Sequence, residues 1–323
     1  MRRDIIGRSL LVGAMLATIP AALLGQRDRK RDRDRDRERD RDEREGPQKL
    51  DTTVAFGRGG TVDLTFLSGD IRVTGSDRAE VQLHASTDGG SIRFEASQSH
   101  VSVDLHPRTR SSEARFEVSV PTGTRILMRS ESANLSSRGV RGEVEARTTS
   151  GDVEILDAVR KVIGGSISGS VKVRHIEGDV RAESVSGDVE VREVNGDVDV
   201  ETVSGELRVD AARAKTVRMA TVSADIEYDG TIDPAGRYDF RTHSGSVRLT
   251  LPRGTGATVR GETYSGSFES CFPVTIQPGQ HAGGQPRRFE FKIGDGSARI
   301  AAETFSGDID IDCGDARRPN PER

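Results

Sequence analysis

The chain has 323 residues with 48 Lys and Arg against 52 Asp and Glu, a formal charge of −4, 36 Gly, 4% aromatic residues and no Trp. Near-balanced charge leaves no cationic field for a nucleic-acid groove or an anionic membrane surface as the main partner. So many glycines beside so few large rings fit a chain that turns every nine or ten residues around a thin core.

Arg2, Arg3 and Arg8 precede an apolar run from Leu10 to Leu24 that is broken by Gly13, Thr18 and Pro20. Cations ahead of a short apolar stretch predict a secretory signal peptide over residues 1–25, cleaved between Ala22 and Gly25, with no stable membrane span afterwards. An uncleaved anchor is the alternative. No Cys follows the run to carry a lipid, and Arg2-Arg3 is only part of a twin-arginine signal. Residues 26–49 read as a charged, disordered linker, because Arg27 to Glu45 holds ten Arg or Lys and nine Asp or Glu with nothing apolar to bury. With the whole chain at −4, the signal region at +2 and this tether at +1, residues 46–323 carry −7. The tether's interleaved acids cancel the field that nucleic-acid binding requires.

A β domain is expected over residues 50–314. In its less regular part, 50–128, runs such as Thr61-Val62-Asp63-Leu64-Thr65-Phe66 and Ala114-Arg115-Phe116-Glu117-Val118-Ser119-Val120 place apolar residues at every second position. That is the pattern of strands with one buried face, and no 3.6-residue stripe competes with it. Across 129–313 the register tightens. The tetrads ending in Gly151, Gly169, Gly187 and Gly205 recur every eighteen residues, and those ending in Ala224, Gly245, Gly266 and Gly307 continue at steps of 19, 21, 21 and 41. Second turns lie half-way between, at Gly142, Gly178 and Gly196. One unit is therefore two short strands and two turns. The fold class read from this is all-β, a single-chain β-solenoid with coils of about 18–21 residues, because stacking like on like gives a long period a physical cause. An antiparallel β-meander, with each Asn-Gly-Asp as a hairpin turn, is the alternative. Gly187 is expected at positive φ in its turn.

Within each solenoid unit Val189, Val191, Val198, Val200, Leu207 and Val209 point inward and Glu190, Arg192, Asp199 and Arg208 outward. The 41-residue step predicts a loop excursion over about 273–286, rich in Pro and Gly, which leaves the units at Ser265 and Ser306 as neighbours. Cys271 and Cys313 then fall together, and in an exported chain they are expected to form a disulfide. Residues 315–323 read as a disordered tail.

The alternation of Ser-Gly-Asp-Val-x-Val with x-Gly-Asp-Val-x-Val, together with Val118-Ser119-Val120-Pro121-Thr122-Gly123 and the signal sequence, resembles the bacterial putative-adhesin family of β-strand-repeat domains over about Leu50 to Cys313. The resemblance implies a β-helical domain at or outside the cell envelope, linked in some relatives to envelope stress. It brings no catalytic residues.

The residues themselves point to no chemistry of bond making. A calcium β-roll needs a Gly pair and a third Gly before Asp, whereas the ladder here reads Asn134, Asp152, Ser170, Asp188, Glu206, Asp225, Ser246, Ser267 and Asp308, which turn formation explains. Outward acids such as Glu190, Asp199, Glu201 and Asp210 are expected on any solvated solenoid and define no acid–base pair. His100 and His106 lie about 20 Å apart along one strand and cannot share a metal. His243, Tyr264 and Phe305 occupy one ladder position, which predicts rings stacked along the axis, or alternatively an exposed carbohydrate platform. No catalytic, cofactor or metal residue is assigned. Two functional classes remain: an exported, adhesin-like module that displays its ladders to an envelope glycan or protein, and a structural or stress-sensing envelope protein spaced by its tether. A polysaccharide-acting β-helix enzyme ranks below both.

Overall fold

The computed structural model describes residues 48–107, 114–273 and 287–314. The signal peptide, nearly all of the linker, the excursion after Pro273 and the C-terminal tail lie outside the described residues.

Every described element is a strand. In chain order these are β1 (Gln48–Ala55), β2 (Thr61–Ser76), β3 (Glu80–Thr87), β4 (Gly90–Ala96), β5 (His100–Pro107), β6 (Ala114–Pro121), β7 (Arg125–Arg138), β8 (Val144–Arg147), β9 (Val153–Ala158), β10 (Val162–Gly165) and β11 (Val171–Ile176). They continue as β12 (Val180–Glu183), β13 (Val189–Val194), β14 (Val198–Glu201), β15 (Leu207–Ala220), β16 (Ile226–Ser244), β17 (Val247–Pro252), β18 (Ala257–Ser265), β19 (Phe268–Ser270), β20 (Arg287–Ile293), β21 (Ala298–Ser306) and β22 (Ile309–Gly314).

The strands stack in two parallel ladders. In one, Val144, Val162, Val180 and Val198 are successive register partners; in the other, Val153, Val171, Val189 and Leu207 are. Each step is eighteen residues. The long strands β7, β15 and β16 round a corner and serve both ladders. All eight of these apolar partners are buried, and seven of them are the β-branched Val that suits a closely stacked pleat. The architecture is a β-solenoid. Antiparallel pairing is confined to β1–β3, β3–β6, β4–β5 and β18–β20, so the meander alternative describes only the two ends.

At those ends chain order and stacking order part company. The last coil in sequence, β21–β22, does not end the stack: β21 pairs with both β16 and β18, and β22 with both β17 and β19. The coil of β18 and β19 is therefore outermost, with β20 laid antiparallel on β18. At the opposite end β2 sits between β7 and the pair β5–β6. There β4 covers β5 and β3 covers β6, which leaves fewer unpaired edges than an open stack would.

Three side-chain devices hold one coil to the next. The first residue of each tetrad is a buried hydroxyl: Ser184 Oγ donates to the Gly169 carbonyl at 3.0 Å and accepts the Gly187 N–H at 3.0 Å. Ser166 and Thr202 repeat the arrangement one coil to either side. The tetrad Gly is required by close approach. A Cβ on Gly187 would lie 2.0 Å from the Gly169 carbonyl oxygen, and on Gly151, Gly169, Gly205, Gly245, Gly266 and Gly307 it would meet the adjoining coil's backbone at 1.9–2.1 Å. Gly196, on the opposite corner, meets Gly178 O at 2.3 Å. The expectation for Gly187 is thus corrected: its φ lies outside the left-handed range that favours glycine, and it is space for the neighbouring coil that excludes a side chain. Finally, the Asp that follows the tetrad is a clamp, since Asp152 Oδ1 accepts the Ser170 N–H at 2.8 Å and Asp225 Oδ1 the Ser246 N–H at 2.8 Å.

Outward charge alternates along the second ladder from Glu154 to Asp310, before Glu269 of the outermost coil stacks on Asp310. Glu154, Lys172, Glu190, Arg208, Glu227, Arg248 and Asp310 are consecutive register partners. Arg208 and Arg248 both reach Glu227, at 3.0 and 3.1 Å. Exposed pairs of this kind add little energy each, but alternation avoids stacking like charge on like and so favours the observed register.

Candidate interaction surface

The second residue of each tetrad has no inward direction left to take. Its neighbours are a buried hydroxyl that holds two backbone groups and a Ser whose N–H is tied to the previous coil, as Ser186 N is to Ile167 O at 2.9 Å and Ser204 N to Val185 O at 3.0 Å. The side chain therefore stands out from the arc. Beyond the polar Thr149 of the first tetrad, these residues in stacking order are Ile167, Val185, Val203, Val222, His243, Phe305 and Tyr264. The six other than His243 are 41–49% exposed, and together they include six of the seven large hydrophobic residues exposed among the described residues. The rings at the outer end stack as the sequence implies: His243 on Phe305 with centroids 4.9 Å apart and planes 12° from parallel, Phe305 on Tyr264 at 4.9 Å and 7°. Such stacking covers both faces of Phe305 and presents its edge.

Beside the aliphatic half of the ladder runs a groove of about 420 Å³, lined by Ile167, Val185 and Val203 on one side and Arg147, Glu183 and Glu201 on the other. These charges are internally paired. Arg147 lies 3.1 Å from Glu145 and 3.7 Å from Glu183, and Glu201 pairs with Arg218. On the far side of the ladder, three residues on, stand Asp152, Asp188, Glu206, Asp225 and Asp308. Their described contacts are different: the four Asp accept backbone N–H groups of the adjoining coil, and none of the five carboxylates makes a direct ion pair among the described residues. Burial, and then the carboxylates of Glu227 and Asp188, hold Glu206 above its ordinary pKa against the opposing pull of Arg208.

The opposite corner carries a column in left-handed conformation: Gly139 (φ 68°), Asp157 (59°), His175 (56°), Glu193 (55°) and Ala211 (54°). His175 lies between carboxylates of the adjoining coils, Nδ1 3.3 Å from Asp157 and Nε2 2.7 Å from Glu193. Its two nitrogens face opposite ways, so the three residues do not converge on one point. Among the described residues no group of three or more His, Cys, Asp or Glu is placed to hold a metal ion. His100 and His106 sit at opposite ends of β5, paired with Thr61 and Ser91. Among the described residues no helix is long and apolar enough to cross a membrane.

Cys271 and Cys313 are bonded, with Cα atoms 5.7 Å apart. Cys271 follows β19 and Cys313 lies in β22, so the bond joins the outermost coil to the coil inserted beneath it.

None of the curated protein sequences matches the chain. Among solved structures, a "putative lipid binding protein" from Parabacteroides distasonis ATCC 8503 is 12% identical, over 82% of this chain and 96% of that one, with a TM-score of 0.38. A "putative adhesin" from Bacteroides fragilis NCTC 9343 is 11% identical over 82% and 97%, with a TM-score of 0.34. A "putative cell adhesion protein" from Clostridium sporogenes ATCC 15579 is 10% identical over 83% and 100%, with a TM-score of 0.24. The family model described as Toastrack DUF4097 matches residues 116–312, from within β6 to within β22, and with more than half of its length matched the chain belongs to the Toastrack DUF4097 family.

Proposed function

We propose that this protein is an exported, non-enzymatic interaction module of the cell envelope, adhesin-like in use, with the apolar ladder as its contact surface. The observation that carries the reading is the ladder itself. Soluble proteins scatter their exposed apolar side chains, whereas a continuous stripe at one position of successive coils is the signature of a surface kept for a partner. Export is supported by the cations and apolar run at residues 2–24 and by the disulfide, a bond of oxidising compartments. A binding rather than a catalytic role is supported by the outward carboxylates, which are engaged in ion pairs or backbone clamps instead of converging on a shared cleft.

The test is a photo-cross-linking residue at position 203, introduced in intact cells whose surface is labelled with a membrane-impermeant reagent. The protein should be labelled from outside, and the cross-linker should capture an envelope component that the same residue at outward position 172, on a different face, does not. Retention in the cytoplasm, or equal capture from both positions, overturns the reading.

A further inference from the structure

We infer that the apolar ladder, with the uncompensated carboxylate column beside it, docks a cationic amphipathic peptide segment lying along the solenoid axis, a reading that rests on the ladder being the contact surface. The ladder supplies the apolar half of the argument. Six steps of about 4.8 Å make a stripe about 30 Å long and one side chain wide, on the order of 300 Å². A stable protein dimer buries about 800 Å² on each partner, so ladder against ladder is too small for a second copy of this chain. A narrow linear stripe fits a narrow linear ligand.

Charge selects which ligand. In the three consecutive coils that carry Val185, Val203 and Val222, the residues three positions on are Asp188, Glu206 and Asp225, all exposed. The nearest arginine, Arg208, is already engaged by Asp210 at 2.9 Å and Glu227 at 3.0 Å. Three stacked carboxylates about 4.8 Å apart repel one another, and like-charge pressure of this kind is relieved when a cation arrives. Along the neighbouring strand ladder, by contrast, the outward charges of Glu190, Arg208, Glu227 and Arg248 alternate. The same carboxylates disfavour an anionic lipid surface, a nucleic acid, an acidic glycan or a second, equally acidic ladder. An apolar stripe flanked by unneutralised acid therefore complements a segment with apolar groups on one side and Lys or Arg on the other.

The experiment uses the full chain and a synthetic peptide of about 12 alternating Leu and Lys residues with one central Trp, whose fluorescence stands alone because the protein has no Trp. Leu/Glu and Ser/Lys peptides of the same length are the controls. The Leu/Lys peptide should bind, and its affinity should fall about tenfold between about 50 and about 300 mM salt as screening grows. The Ser/Lys peptide should bind at least about tenfold more weakly and the Leu/Glu peptide not at all. Two triple variants separate the parts. V185S/V203S/V222S changes only exposed side chains, and D188N/E206Q/D225N removes the charge while leaving amide oxygens to serve as clamps, as Asn134 already does for the Asp152 N–H at 3.1 Å. Each should weaken binding about tenfold, and the second should also abolish the salt dependence. Equal binding by either variant, binding of the Leu/Glu peptide, or no binding of the Leu/Lys peptide overturns the inference. If the peptide fails while the cross-link at position 203 still forms in cells, the cationic partner falls and the ladder as contact surface stands; if the cross-link fails too, both fall.

Discussion

Asp188 Oδ1 accepts the backbone N–H of Glu206 at 2.9 Å, and Glu206 occupies the position of Asp188 one coil further along. The contact explains why a short acid follows Gly in so many of the repeats: its length carries the carboxylate across one coil step to a donor that would otherwise face solvent. Asp188→Ala should therefore cost about 1 kcal/mol in urea unfolding, whereas Asp188→Asn, which keeps the acceptor, should cost less than half of that. Equal losses for both would show that charge and not the clamp carries the effect.

Gly187→Ala places a methyl 2.0 Å from Gly169 O in a column where neither backbone can retreat without shifting the stack. The expected loss is about 3 kcal/mol, at the upper end of ordinary overpacking. Ser186→Ala, on the exposed neighbour, should stay within about 0.5 kcal/mol. Comparable melting of the two variants would refute the close-approach account of the tetrad glycines.

Ala211 sits at φ 54° with no polar side chain to compensate a left-handed backbone. Removing its Cβ relieves about 1–2 kcal/mol of steric cost against about 0.5–1 kcal/mol of added unfolded-state entropy, so Ala211→Gly should stabilise the protein by about 1 kcal/mol. A glycine substitution that raises the unfolding midpoint is a clear signature, and a lowered midpoint would contradict the geometry.

Two aspartates in neighbouring positions should answer acid in opposite senses. The N–H and hydroxyl of Ser267 hold the Asp308 carboxyl below its ordinary range, so its contribution is present above the unfolded pKa near 4 and is lost as pH falls through the lowered folded value. Burial raises Asp310, with Arg248 opposing and Asp308, Glu269 and Asp312 adding to the rise. Its ionised form thus weakens the fold at neutral pH, and the penalty disappears as pH falls through its raised value. Unfolding midpoints between pH 7 and pH 2.5 should show D308N less stable than wild type at pH 7 and D310N more stable, with both differences vanishing in acid. A difference that persists at the lowest pH would show that ionisation is not its source.

The Cys271–Cys313 bond spans 42 residues and ties the outermost coil to its only parallel neighbour. Loss of the cross-link in Cys313→Ser should lower stability by about 4 kcal/mol in the chain-entropy view. Hydrogen exchange of that variant should localise the new opening to β19, whose only strand partner is β22, whereas β18 is paired with both β20 and β21. Uniform loss of protection across the stack would argue against an end effect.

The eighteen-residue recurrence of Thr/Ser-x-Ser-Gly determined the coil, its two strands and its inward valines, because like residues stack only if each coil repeats the length and facing of the last. It also placed His243, Phe305 and Tyr264 in one column, and the apolar residues at 167, 185, 203 and 222 were there to be read as its continuation. What a residue meets across the coil boundary was not legible. Gly187 looks like a turn glycine in sequence, and only the stacked Gly169 carbonyl shows that space, and not φ, excludes a side chain there. Arg237 and Arg299 are register partners 62 residues apart, a pairing no local period announces, and it is this pairing that slips the final coil beneath the one before it. Nor does the sequence tell which acids lack a cation, since Arg208 could equally have served Glu206 or Glu227 until the stacked neighbours fixed its direction. A repeat encodes the facing of each residue within its own coil; the contacts between coils arise only when the backbone closes, and the clamps, the excluded side chains and the open flank of the ladder all lie there.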